Sequence, residues 1–125
     1  MRADRHAWLL AACLAPALAA AGPLRVENRL AECVRVQPGL RSVEHNVVLQ
    51  RFDLTVVRPI GDCGCKSALV VYQASVVRED GTRGASQSGV FGAMRSGPRT
   101  LPLASDAALL GERPVALGLG CAPAD

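Results

Sequence analysis

The stretch Val48-Leu49-Gln50-Arg51-Phe52-Asp53-Leu54-Thr55-Val56 decides the fold. Val48, Phe52, Leu54 and Val56 share one side of an extended chain, and Arg51, Asp53 and Thr55 take the other. A period of two rather than 3.6 is the signature of a half-buried strand. The pattern returns downstream, where Ala68, Val70, Tyr72, Ala74 and Val76 oppose Ser67, Gln73 and Ser75. Both segments also carry apolar residues on the second face, which places them centrally in a sheet. A third face is formed by Val115, Leu117, Leu119 and Cys121, and its opposite neighbours are the small residues Ala116, Gly118 and Gly120. Such a small face allows another backbone to approach closely, or marks a weak edge.

Weaker strand patterns run from Leu30 to Gln37, Ser88 to Arg95 and Thr100 to Leu103, and Pro98 and Pro102 assign the last to a sheet edge. Turn residues separate them: Gln37-Pro38-Gly39, Arg58-Pro59-Ile60-Gly61-Asp62, and a polar loop from Glu79-Asp80-Gly81 to Gly84-Ala85-Ser86. Ser105-Asp106 ahead of Ala107-Ala108-Leu109-Leu110 is placed to cap one helical turn. Short strands with Pro/Gly turns across roughly a hundred residues predict an all-β protein, a small antiparallel immunoglobulin-like β-sandwich of about six to seven strands. The Trp between bridged cysteines that marks antibody domains is missing, so the likeness stops at the architecture.

The chain has 125 residues, enough for one domain, and its first part reads as a targeting segment. Arg2, Arg5 and His6 precede a small, apolar run from Ala7 to Ala21, interrupted by Pro16. This layout predicts a signal peptide over residues 1–21, cut after Ala19 or Ala21, and a mature domain over 22–125. Leu10-Ala11-Ala12-Cys13 has the form of a lipoprotein box, but the apolar stretch before Cys13 is shorter than the ~7–15 residues of a normal signal core. A plain export signal without a lipid anchor at Cys13 is the preferred reading. The run also falls short of the ~20 residues that cross a bilayer, so no membrane span is expected.

Charge and composition exclude more than they assign. Lysine and arginine total 14 against 11 acidic residues, the net charge is +3, and aromatic residues make up 3%. That balance does not suit a nucleic-acid surface built on stacking. Lys66 is the only lysine. Loss of the leader removes Trp8 and leaves Phe52, Tyr72 and Phe91 as the aromatics of an otherwise aliphatic core.

Loss of the leader also removes Cys13, leaving Cys33, Cys63, Cys65 and Cys121. Strands that run up and down bring all four to one end of the sandwich. An even set in a small exported domain reads as a disulfide framework. Joining Cys63 to Cys65 would close a strained ring around Gly64, so each is expected to reach a distant partner: Cys33 with Cys63 and Cys65 with Cys121, or the same with the inner cysteines exchanged. The alternative is a soft-metal site for Cu(I) or Zn, with Cys63 and Cys65 as ligands and His45 and Met94 as extra donors. Structural zinc pairs are normally spaced by two or more residues, and export favours oxidation over free thiolates.

Catalysis finds little support. The mature chain has one histidine, His45, beside Glu44; there is no Gly-x-Ser-x-Gly elbow, and Glu79, Asp80 and Glu112 fall in polar turns. No catalytic residue and no cofactor are assigned. The segment Ile60-Gly61-Asp62-Cys63-Gly64-Cys65-Lys66-Ser67-Ala68-Leu69, with Cys33 upstream and Cys121 near the end, resembles a family of small bacterial periplasmic proteins of unknown function. The resemblance implies periplasmic residence and no known activity. The sequence therefore predicts a periplasmic or secreted, non-catalytic binding module whose partner is another periplasmic or envelope protein. Its expected contact surfaces are the sheet edges and the Gly118/Gly120 face.

Overall fold

The computed structural model describes residues 23–123. The expected leader, with its cleavage sites and Cys13, lies outside them. Seven strands form two packed sheets: β1 (Leu24–Asn28), β2 (Val34–Glu44), β3 (Val47–Val56), β4 (Leu69–Val77), β5 (Arg83–Gly92), β6 (Gly97–Ala104) and β7 (Val115–Cys121). One sheet has the order β1-β7-β4-β5 and the other β2-β3-β6. The architecture is the small β-sandwich that the alternating segments predict. All pairings are antiparallel except β1 with β7, which is parallel.

The inward faces are those of the sequence pattern. Phe52 and Leu54 meet Val70, Tyr72, Leu117 and Leu119 in one core, with Leu101 and Leu103 of β6 beside them. Phe52 and Phe91 stack edge to face with ring centroids 5.5 Å apart, joining the sheets through two of the few aromatic rings. Tyr72 does so by a hydrogen bond, its Oη donating to the Pro102 carbonyl at 3.0 Å. Ser86 Oγ donates to the Leu103 carbonyl at 2.8 Å on the same flank.

Three local expectations need correction. Leu24–Asn28 forms a strand that its five residues and outward Arg25 and Glu27 gave no reason to assign; it is recruited by Val115–Leu119 of β7. Gln37-Pro38-Gly39 does not reverse the chain. It lies inside β2, where the register slips between Pro38 and Arg41, a bulge that an edge strand tolerates because the missing N–H of proline breaks no inner ladder. The reversal falls at His45 (φ 48) and Asn46 (φ 67), a two-residue hairpin turn with both residues left-handed. Likewise Gly84-Ala85-Ser86 belongs to β5, with Ser86 as the extra residue where the register slips opposite Ala74 and Ser75. Pro98 and Pro102 do sit on edge strand β6. Asp106 caps the turn Ala107–Leu109, its side chain accepting from the Ala108 N–H at 2.9 Å.

Candidate functional site

The connection from β3 to β4 builds the end of the sandwich where the cysteines meet. The N–H groups of Val57 and Arg58 both donate to the Cys33 carbonyl, at 2.8 and 3.3 Å, which holds the chain against the start of β2. Pro59, with its fixed φ, leads into a single 3-10 turn, Ile60–Cys63, and the Ile60 side chain is buried in the core. Gly64 ends the turn at φ 94, a left-handed position open to glycine without penalty. Its N–H donates to the Gly61 carbonyl at 3.1 Å, and the Cys65 N–H donates to Ile60 at 3.2 Å.

This reversal sends the two neighbouring cysteines to different sheets. Cys63 is bonded to Cys33 at the threshold of β2, with Cα atoms 6.3 Å apart. Cys65 is bonded to Cys121 at the end of β7, with Cα atoms 5.1 Å apart. One three-residue segment thus ties both sheets, and the pairing present is the first of the two considered above. Such bonds persist in oxidising, extracytoplasmic surroundings.

The residues named for a soft metal do not converge. The sulfurs of Cys63 and Cys65 are taken up in separate disulfides, and His45 lies in the β2–β3 turn at the far end of the sandwich. Met94 follows β5 at the cystine end; it is 78% exposed rather than a packed strand residue. Among the described residues no group of three or more His, Cys, Asp or Glu side chains is placed to hold a metal ion.

Beside the clamp lies an open apolar cleft of about 590 Å³. Val56, Ile60, Ala68 and Ala93 line it, with Met94 and the 48% exposed Val57 at its rim. Arg58 and Lys66 also line it, no acidic residue does, and neither cation forms an ion pair or side-chain hydrogen bond among the described residues. Asp62 stands in the adjacent 3-10 turn but does not line the cleft. The neighbouring β5–β6 turn is held by Arg99, which donates to the carbonyls of Gly92 at 3.1 Å and Arg95 at 2.7 Å.

The Gly118/Gly120 face is a different kind of surface. It forms part of a hollow of about 680 Å³ on the outer side of the four-stranded sheet, lined also by Glu27, Arg29, Gln73 and Ser88. Glu27 pairs with Arg83 from the opposite edge strand. A Cβ at Gly118 would meet nothing nearer than 3.8 Å and one at Gly120 nothing within 4 Å, so no close backbone approach requires these glycines. β7 is also an inner strand, not an edge. The cleft escaped sequence reasoning because its walls come from three separate segments. The available signals were Val57, prolonging the apolar run past the end of β3, and Met94, just after β5.

The molecule thus belongs to the class of small all-β sandwiches whose layers are tied at one end by disulfides. Among the described residues no helix is long and apolar enough to cross a membrane. A family model, described as an uncharacterized protein conserved in bacteria (DUF2195), matches residues 8–124, and the chain belongs to that family. Neither a curated protein nor a solved structure matches it.

Proposed function

We propose that the protein is an exported, non-catalytic interaction module of the bacterial periplasm that engages another envelope protein through the cleft at its cystine end. The observation that carries this reading is the pairing of a rigid, doubly tied end with an apolar opening whose rim leaves Met94 and Val57 in solvent. Apolar side chains grouped at a rim of polar residues mark contact surfaces more often than scattered ones do. The oxidised cysteines and the signal-like residues 1–21 support export. Soft-metal binding by Cys63 and Cys65 would first require both disulfides to be reduced, and it draws no support from the geometry.

In-cell photocrosslinking tests the surface. A photoreactive residue replacing Met94 should yield a discrete adduct, whereas the same residue at Leu40, equally exposed on β2, should yield none. No adduct from position 94, or the same adducts from both positions, would overturn the proposal.

A further inference from the structure

The lining of the cleft also specifies what should fill it. We infer that its occupant is an acidic, aliphatic segment of the partner protein, with apolar side chains on the Val56, Ile60, Ala68 and Ala93 surface and carboxylates between Arg58 and Lys66. This rests on the cleft being the contact surface.

Charge complementarity decides the polar half of the occupant. The two cations at the cleft face no lining carboxylate, and neither is committed to a partner within the described residues. An anion arriving there therefore displaces no existing ion pair. A cationic segment would meet uncompensated repulsion, the feature by which interfaces reject wrong partners. Shape decides the apolar half. A cavity for a single small lipophile normally encloses most of its ligand. Here the rim residues Val57 and Met94 stay exposed, so an acyl chain would remain partly in water. An extended protein segment, which brings its own covering surface, fits an open cleft better. Met94 adds an unbranched, adaptable side chain suited to packing against such a segment.

Two residues provide direct readouts. Lys66 is the only lysine, and the full chain has just two methionines, Met1 and Met94. In full-length protein labelled with ¹³C at the methionine methyls, the Met94 signal is assigned by its loss in Met94→Leu. It should then shift saturably on titration with acetyl-Leu-Glu-Leu-Glu-Leu-amide. The lysine-containing counterpart, acetyl-Leu-Lys-Leu-Lys-Leu-amide, should bind at least about fivefold more weakly, and the double variant Arg58→Gln/Lys66→Gln should abolish the difference. The acidic peptide should also slow acetylation of Lys66 by an amine-reactive reagent.

Equal shifts with both peptides, or an unchanged preference in the double variant, would overturn the inference. So would laurate binding more tightly than the acidic peptide, because the occupant would then be a lipid anion. Crosslinking from position 94 is independent of ligand charge. An adduct there without acidic preference would discard the chemistry and keep the surface, whereas the absence of an adduct would remove the surface itself.

Discussion

Gly64 sets the geometry of the clamp, because its left-handed φ of 94 turns Cys65 away from the sheet that Cys63 reaches. Open space surrounds its Cβ position, so Gly64→Ala costs backbone strain alone, about 1–2 kcal/mol, read as a lower thermal midpoint. Tyr72 is the second key residue. Burial raises its phenol pKa above the ordinary value, so the folded state prefers the neutral hydroxyl that donates to Pro102. A raised folded pKa means that this stability is fully present below about pH 10 and is lost as pH climbs through the folded value. Tyr72→Phe should cost about 1 kcal/mol at neutral pH and flatten that alkaline loss, both measurable by denaturant unfolding. Some residues were legible in advance, and one was not. Gln50 breaks the apolar face of its strand, yet it is 2% exposed because its Nε2 donates to the carbonyls of Gly39 at 3.0 Å and Arg51 at 2.9 Å. The need for it arises from the β2 bulge, which single-strand alternation does not encode.

Among the elements, strands with two facing partners were the most readable. β3, β4 and β7 are inner strands whose inward residues are apolar apart from Gln50 of β3, so their period is clear. Edge strands β2, β5 and β6 carry polar residues and register shifts, and Pro or Gly marks a bulge as readily as a turn. The hairpin at His45-Asn46 allows two effects to be weighed. His45 occupies a left-handed position that asparagine adopts more easily, so His45→Asn should raise stability by roughly 0.5 kcal/mol. Asn46→Gly also suits the turn, but Asn46 donates to Asp106 Oδ1 at 3.1 Å and accepts from the Ala107 N–H at 3.2 Å. Losing both bonds, at about 0.5–1 kcal/mol each for exposed groups, should outweigh the gain in turn propensity. Thermal midpoints of opposite sign for the two variants are the expected outcome.

At the scale of the molecule the two disulfides act independently, since the loop from Cys33 to Cys63 closes before the one from Cys65 to Cys121 begins. Their sequence separations are 30 and 56 residues. By loop entropy alone they contribute about 3.6 and about 4.2 kcal/mol, comparable with the ~5–15 kcal/mol net stability of a small domain. Cys33→Ala/Cys63→Ala should therefore leave a folded but much weakened protein, whereas removal of all four cysteines should leave it largely unfolded by circular dichroism. Four cysteines at one end were legible from strand order. The choice between the two long-range pairings was not, because Cys63 and Cys65 stand two residues apart and only the left-handed Gly64 assigns each to its own sheet.

Disulfide mapping of protein purified without reductant tests this arrangement most directly. After thiol blocking and tryptic digestion, which spares the Arg58–Pro59 bond, the peptide from Phe52 to Lys66 should carry both inner cysteines, each bonded to a different chain. Fragmentation through Gly64 should assign Cys63 to the Cys33 peptide and Cys65 to the Cys121 peptide. Alkylated thiols at these positions would contradict a sandwich clamped by one turn to both of its sheets, and the exchanged links Cys33 to Cys65 and Cys63 to Cys121 would contradict the assignment of each cysteine by the left-handed Gly64.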